Sequence, residues 1–179
     1  MVTTPRLTYQ DYANLEGDER YELLDGELIL VGSPNTDHQT ASVRIGFRMF
    51  SFIDENDLGW FFHAPFDVLF TDTDVVQPDL LFISKEREHI ITPANIQGAA
   101  DLIVEILSPS SSRRDWRDKR ELYAAHGVRD YWIVDPTNHI VWVMLLRAGT
   151  FEIDETYTEG DNITSPTLEG FGISVAEIF

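Results

Sequence analysis

The longest regular pattern of apolar positions in the chain has helical spacing. It lies between Thr36 and Glu55, after a break at Gly32–Pro34. The apolar residues that carry it, mostly three or four positions apart, are Val43, Ile45, Phe47, Met49, Phe50 and Ile53. The pattern predicts a first long helix over Thr36–Glu55.

Three apolar runs after this helix predict strands at Trp60–Phe70, Val75–Ser84 and Asp101–Leu107. The last two runs are almost continuously apolar, which is typical of central strands that are covered on both faces. One carboxylate interrupts each of them, Asp79 in the second run and Glu105 in the third.

Turn and capping residues delimit the first elements of the chain. Asp25-Gly26 is a turn dipeptide that favours positive φ, so it predicts a tight hairpin between Tyr21–Leu24 and Glu27–Val31. Before the hairpin, Thr8 is placed to cap a short helix that reaches Glu16.

A second helix is predicted from Arg113 to His126. The loop Ser108–Ser112 can cap its start, and Gly127 can close it in the left-handed conformation that glycine adopts readily. The helix directly follows the strand that contains Glu105, so we expect it to lie near that strand.

Three more strands are predicted at Tyr131–Val134, Ile140–Leu146 and Phe151–Tyr157, joined by turns at Asp135–Asn138 and Arg147–Gly149. The predicted order is ββαβββαβββ, which indicates an α/β or α+β fold with a central mixed β-sheet flanked by helices. No linker or internal repeat interrupts it, so residues 1–179 are predicted to form one domain.

Composition narrows the possible chemistry. The 179 residues include no cysteine, which excludes disulfides, thiolate metal sites and a cysteine nucleophile, and a metal would be held by oxygen or imidazole. Such ligands favour Mg²⁺, Mn²⁺ or Ca²⁺. The opening Met1–Pro5 lacks the apolar core of a secretory signal and no apolar run is long enough to cross a bilayer, so we expect a cytoplasmic protein with no membrane partner.

The formal net charge of −18 disfavours nucleic acid as a partner, because phosphate backbones are repelled at long range. The segment from Arg113 to Arg120 is the exception, since it holds five of the 13 basic residues and only two acidic ones. A local positive strip is therefore predicted in a negative surface.

The carboxylates in the apolar strands need partners, because an unpaired buried charge costs several kcal/mol. If the strands of Asp79 and Glu105 are neighbours, the two negative charges also repel each other. A divalent cation would remove this conflict. The alternative is that each carboxylate lies at a strand end and faces solvent or an arginine.

Lys119 is a third candidate. Its spacing from Trp116 and Tyr123 places all three side chains on one helix face, whereas Arg114 and Arg117 lie on another. Because the aromatic residues should face the core, Lys119 is predicted to point inward, towards both carboxylates. Alternatively, its stem covers Trp116 while the ammonium reaches solvent.

These residues stand in motifs that resemble the PD-(D/E)XK nuclease superfamily. The motifs are Gln77-Pro78-Asp79, the stretch from Val104 to Ser110, Asp118-Lys119-Arg120, and the stretch from Tyr123 to Pro136. More closely, nearly the whole chain is similar to a large bacterial family of small restriction endonuclease-like proteins. The resemblance implies the restriction endonuclease-like fold.

The resemblance also implies roles for individual residues. Asp79 and Glu105, with the Ile106 carbonyl, would bind Mg²⁺ or Mn²⁺. The superfamily lysine two positions after the glutamate is replaced here by Leu107, and the family resemblance implies that Lys119 takes its place. The resemblance also places Glu22 and His38 at positions near these residues.

Simpler interpretations stay open for several of these residues. Glu22 could be a solvated hairpin residue, and His38 could interact with the dipole of the first long helix. Arg113, Arg114, Arg117 and Arg120 would steer and hold DNA phosphates, or they form a solvated helix face paired with Asp115, Asp118 and Glu121.

The leading functional prediction is a Mg²⁺-dependent nuclease that acts on weakly bound DNA. Two alternatives stay open: a catalytically inactive nuclease-like module that binds nucleic acid or protein, which the substitution at Leu107 favours, and an acidic protein that imitates DNA, which the charge of −18 favours. The apolar C-terminal hairpins could bury a strand edge in a homodimer.

Overall fold

The computed structural model describes residues 5–109 and 111–179, and the four N-terminal residues and Ser110 of the predicted capping loop lie outside the described residues. The strands are β1 (Tyr21–Leu24), β2 (Glu27–Leu30), β3 (Gly59–His63), β4 (Val68–Thr71), β5 (Asp74–Val76), β6 (Leu80–Ser84), β7 (Ile96–Gln97), β8 (Leu102–Ile106), β9 (Asp130–Asp135), β10 (Ile140–Arg147), β11 (Thr150–Tyr157), β12 (Asn162–Thr164) and β13 (Gly172–Ser174). The helices are α1 (Tyr9–Ala13), α2 (Thr36–Glu55), α3 (Ser112–Arg114), α4 (Arg120–His126) and α5 (Val175–Ile178), with a 3₁₀ segment at Lys85–Ile90 and a π-helical turn at Asp115–Lys119.

The larger sheet has six strands in the order β11-β10-β9-β8-β6-β3. Its pairs are antiparallel except β8 with β9, so the sheet is mixed, as predicted. Every residue of β8 is buried and β6 is buried up to its last residue, which agrees with their continuous apolar runs. Because β6 and β8 are neighbours, the residue that precedes β6 lies beside the end of β8.

The smaller sheet has the order β2-β1-β5-β4-β7. The predicted hairpin between β1 and β2 is confirmed, with Leu24 opposite Glu27 and with φ of 51° at Asp25 and 77° at Gly26. Positive φ at both turn residues is the geometry that suits the twist of a two-residue hairpin.

The helices cover both faces of the larger sheet. The long helix α2 has the predicted bounds, and Ile45, Met49 and Ile53 bury its inner face in one core cluster. The second predicted helix is continuous from α3 through the π-helical turn to α4, and it ends at Gly127 with φ of 85°. Tyr123 of α4 belongs to the other core cluster.

Two predicted strands are each divided in the structure. The run Trp60–Phe70 forms β3 and β4, which break around Pro65 and belong to different sheets. The run Val75–Ser84 forms β5 and β6, which break at Gln77–Asp79 around Pro78. Proline lacks the N–H that a continuous ladder needs. Asp79 therefore lies just before a buried strand and not inside it.

The ends of the chain differ from the prediction in two further ways. The first helix, capped by Thr8 as expected, stops at Ala13 and not at Glu16. The short strands β12 and β13 and the terminal helix α5 carry no strong periodic signal, and no sequence pattern predicted them. No helix in the described ranges is long and apolar enough to cross a membrane.

Candidate active site

Four carboxylates converge on one cavity of about 610 Å³. They come from four separate parts of the fold: the hairpin strand β1, the break before β6, the strand β8 and the π-helical turn. In that order the residues are Glu22, Asp79, Glu105 and Asp115. The cavity also contains the cationic side chains of Arg20, Arg114 and Lys119.

Asp79 joins the ends of two neighbouring strands. Its Oδ2 atom accepts a hydrogen bond of 2.8 Å from the backbone N–H of Ile106, the last residue of β8. The same oxygen lies 3.2 Å from Nε2 of His38, which stands in the first turn of α2. The His38 Nδ1 atom is buried and has no hydrogen-bond partner among the described residues. The structure thus places His38 in contact with Asp79.

Glu105 is buried, with 3% of its surface exposed, and its partners come from the following helix. Its Oε1 atom accepts hydrogen bonds from Lys119 Nζ at 2.9 Å and from the Tyr123 hydroxyl at 2.5 Å. Burial raises the pKa of Glu105 well above its usual value, and the charge of Lys119 opposes this shift only in part.

Lys119 is also buried and contacts two carboxylates. Its Nζ atom lies 2.8 Å from Oε1 of Glu22, in addition to the contact with Glu105. Burial alone would lower the pKa of Lys119, but Glu105, Glu22 and Asp115 outweigh it and raise this pKa well above its usual value. Lys119 therefore points inward and is not a solvated lysine. Its predicted neighbour Trp116 packs instead against Trp142, with ring centroids 4.9 Å apart.

Glu22 occupies a fixed position in the cluster. Its Oε1 atom accepts a hydrogen bond of 2.9 Å from the backbone N–H of Gln77, so the hairpin is tied to the segment that leads to Asp79. Only 3% of Glu22 is exposed, which rules out the solvated hairpin residue of the alternative interpretation.

Asp115 is the residue of this cluster that the sequence pattern missed. It was grouped with a solvated helix face, yet only 1% of it is exposed, and Lys119 Nζ lies 3.8 Å from its Oδ1 atom. Within the described ranges neither carboxylate oxygen has a partner in hydrogen-bonding geometry. Burial raises the pKa of Asp115, and Lys119 and the nearby Ser111 hydroxyl offset this only in part. The helical spacing of four from Lys119 was the signal that could have found it.

Leu107, where the superfamily pattern has its lysine, packs against the core cluster that contains Tyr123. Its half-buried side chain lies two positions after Glu105, on the same face of the chain. The positive charge beside Glu105 is therefore the Lys119 ammonium of the helix, and not a lysine of the strand.

The four arginines of the predicted strip do not face the cavity together. Arg114 lines the cavity, and its Nε atom is buried with no hydrogen-bond partner in the part of the chain that the structure describes. Arg113 and Arg117 are exposed, and Arg117 lies near Asp118. Arg120 donates a hydrogen bond to the Phe151 carbonyl of β11. Of these four arginines, Arg114 is the one placed to reach a ligand in the cavity.

The donor atoms at the ends of β6 and β8 fit a hard divalent cation. The contacts of Asp79 involve its Oδ2 atom, and those of Glu105 involve its Oε1 atom. Oδ1 of Asp79 and Oε2 of Glu105 have no hydrogen-bond partner among the described residues. Carboxylate and carbonyl oxygens are ligands that Mg²⁺ and Mn²⁺ accept together with several waters. No group of three or more His, Cys, Asp or Glu residues in the described ranges is arranged to hold a metal ion. A cation at Asp79, Glu105 and the Ile106 carbonyl would depend on water for its remaining ligands.

Comparisons with known proteins identify the family and the fold. Residues 8–176 match the model of a family described as "Uma2: Putative restriction endonuclease". One similar solved structure, from Anabaena variabilis ATCC 29413, is described as a putative nuclease belonging to DUF820. The two chains share 19% identity, each is covered over 97% of its length, and the TM-score is 0.79. This likeness confirms the predicted fold. No curated protein matches the chain.

Proposed function

We propose that this chain, which belongs to the Uma2 family of restriction endonuclease-like proteins, is a metal-dependent nuclease that hydrolyses phosphodiester bonds of DNA. The observation that carries the proposal is the contact of Lys119 with Glu105 beside Asp79, in a cavity large enough for a ligand. A lysine between carboxylates can position an attacking water and oppose the negative charge that develops on a phosphate.

The metal is part of the proposal. Asp79, Glu105 and the Ile106 carbonyl would hold Mg²⁺ or Mn²⁺ through hard oxygen donors. When bound, such a cation polarises the scissile phosphate and acidifies a water molecule. The hydrogen bond from Ile106 to Asp79 fixes the two carboxylates relative to each other before any ligand arrives.

The other residues of the cluster orient Lys119. Glu22 and Glu105 hold its ammonium group from two sides, and Asp115 adds a third negative charge nearby. These neighbours keep Lys119 charged, so it would donate hydrogen bonds to a water or a phosphate oxygen and would not act as a base. His38 would hold Asp79 in place through Nε2.

Binding of DNA is expected to be weak. The net charge of −18 repels phosphates at long range, and Arg114 and Arg20 are the arginines that line the cavity. Phosphate contacts would therefore be few. The acidic DNA mimic explains the charge but gives no reason for a buried lysine held between carboxylates.

A cleavage assay tests the proposal. We expect the purified protein to cut single-stranded or duplex DNA with Mg²⁺ or Mn²⁺ and to lose this activity with EDTA. Glu105→Gln should abolish cleavage, because it removes one metal ligand and one charge beside Lys119. Glu152→Gln is the matched control, since Glu152 is 57% exposed on the edge strand β11.

A wild-type protein that cuts no DNA with either metal, but still binds it, would replace this proposal with the inactive binding module. That second candidate is favoured by one observation, which is the apolar packing of Leu107 where the superfamily has its lysine.

A further inference from the structure

One wall of the cavity is apolar and belongs to the outer face of α2. Val43, Phe47 and Phe50 follow one another at helical spacing, and their exposed fractions are 66%, 67% and 52%. All three line the cavity that holds the carboxylates. Phe61 of β3 continues this aromatic wall, with its ring centroid 6.4 Å from that of Phe50.

Val43, Phe47 and Phe50 are not part of the core, whereas Phe61 also packs against it. The inner face of α2 already buries Ile45, Met49 and Ile53, so the helix has a second apolar face that no described residue covers. Exposed aromatic rings grouped in one cavity indicate a surface that a ligand covers.

The cavity also holds cationic side chains that an anionic group of the ligand can contact. Lys119, Arg114 and Arg20 line the same cavity as Phe47 and Phe50. A molecule that fits both parts has flat apolar groups joined to anionic groups. Nucleotides have this combination, because each base presents an aromatic face and each linkage carries a phosphate.

The depth of the carboxylate cluster restricts the form of nucleic acid. Glu105 and Lys119 are 3% and 4% exposed, so a scissile phosphate has to enter the cavity to reach them. In a duplex the bases are paired and stacked on each other, and their faces are not available to a protein. An unpaired strand can present both its bases and its phosphates.

We propose that the substrate of this site is single-stranded DNA, whose unpaired bases stack on Phe47 and Phe50 while the adjoining phosphate reaches the carboxylate cluster. This inference rests on the proposed nuclease function. Stacking also gives a −18 protein a source of affinity that does not depend on neutralising phosphates.

Fluorescence anisotropy in EDTA measures binding without cleavage. The probe is a labelled oligothymidylate of about 12 nucleotides. Phe47→Ala and Phe50→Ala should each weaken its binding by about 5- to 150-fold, the effect of losing one stacked base. Trp60→Ala is the control, because Trp60 is 50% exposed on β3 but does not line the cavity, and this variant should bind like the wild type. Since the replaced side chains are exposed, we expect these variants to fold.

Two further variants separate stacking from simple apolar contact. Phe47→Trp keeps an aromatic face and should bind as well as the wild type. Phe47→Leu keeps apolar area without a ring and should bind like Phe47→Ala. An abasic strand of the same length should bind the wild type and Phe47→Ala equally. The slope of log K against log salt should not change in Phe47→Ala, because no phosphate contact is removed.

Three results would overturn this inference. One is tighter binding of a duplex than of the single strand. Another is unchanged oligothymidylate binding in both alanine variants while the wild type still cuts DNA, which would leave the nuclease proposal standing. The third is a wild-type dimer that becomes a monomer in Phe47→Ala with DNA binding unchanged, which would assign the aromatic wall to a second copy of the chain.

Discussion

Glu105 and Asp130 are two buried carboxylates of the larger sheet whose surroundings differ. At one end of β8, Glu105 shares one lysine with Glu22 and Asp115, and the group opens into a cavity. At the start of β9, Asp130 is wholly buried and faces neutral donors. Its Oδ1 atom accepts from the Trp132 indole at 2.8 Å, and its Oδ2 atom accepts from the Ser165 hydroxyl at 2.7 Å.

The hydrogen bonds of Asp130 have a structural role. Ser165 Oγ also accepts a hydrogen bond from the backbone N–H of Leu168, so Asp130 fixes the C-terminal segment to the sheet. No ligand is needed to satisfy either oxygen. Burial still raises the pKa of Asp130 to about 6, although the hydrogen bonds from Ser165 and Trp132 act in the opposite direction.

The comparison shows that a buried acidic residue in a strand is not by itself a functional signal. Asp130 and Glu105 are both buried in strands of the larger sheet. Glu105 differs because other carboxylates converge on it, because a buried cation lies among them, and because the group faces a cavity. These three features depend on tertiary structure, and together they indicate chemistry.

The largest effect is expected from removing the buried cation. Lys119→Met keeps much of the side-chain volume and removes the charge. We expect metal-dependent cleavage to fall by roughly 10²- to 10³-fold, as for loss of a positioned hydrogen-bond donor that stabilises developing negative charge. Metal binding should persist, because the carboxylates remain. Lys85→Met is the control, since Lys85 is the other lysine of the chain and is 52% exposed.

A rescue variant tests whether Lys119 replaces the lysine missing at position 107. Adding Leu107→Lys to Lys119→Met should restore part of the rate, because residue 107 shares a face with Glu105. It should also lower the free energy of unfolding, since Leu107 packs in a core cluster. Wild-type cleavage in Lys119→Met would show that Lys119 has no role in the chemistry.

Local sequence signals were enough for much of the fold. The bounds of α2, the turn at Asp25-Gly26 and the cap at Gly127 follow from spacing and from turn residues, which act over a few positions. The inward direction of Lys119 followed from its spacing relative to Trp116 and Tyr123. These features were predictable because each depends on neighbours in the chain.

Other features depend on distant parts of the chain. Pro65 interrupts the run Trp60–Phe70 and was a local signal of the break, but nothing local indicates that β3 and β4 join different sheets. The burial of Asp115 depends on the hairpin that brings Glu22 to the helix. The exposure of Phe47 was also unpredictable, because the periodicity that marks a helix does not show which apolar face is covered.

The next largest effect is the part of the pH dependence of stability that Asp130 contributes. A carboxyl group whose pKa is raised on folding stabilises the protein below its unfolded pKa of 3.8, and this contribution is lost as the pH rises through about 6. In Asp130→Asn the side chain is neutral at every pH, so this variant does not undergo this loss of stability. Its unfolding free energy relative to the wild type should therefore rise between about pH 4 and pH 7, by at most about 3 kcal/mol. Urea unfolding at several pH values measures this difference.

Ser165→Ala tests whether the hydrogen bond from Ser165 affects the pKa of Asp130. Removing the hydroxyl takes away a hydrogen bond that favours the charged form, so the pKa of Asp130 should rise further and the pH window should move upwards. Parallel stability curves for the wild type and Asp130→Asn across this range would contradict the assignment.

The smallest expected effect is the stabilisation of the protein by metal binding. It should distinguish Asp79 and Glu105, the proposed metal ligands, from Asp130. At a Mg²⁺ or Mn²⁺ concentration ten times the dissociation constant, binding should stabilise the wild type by about 1.4 kcal/mol, or roughly 3–6 °C in Tm. Asp79→Asn and Glu105→Gln should lose most of this shift, because each removes a proposed ligand. Asp130→Asn should keep all of it, because neutral donors already satisfy both oxygens of Asp130. An equal shift in all four proteins would place the cation elsewhere, and loss of the shift in Asp130→Asn would remove the distinction between the two groups.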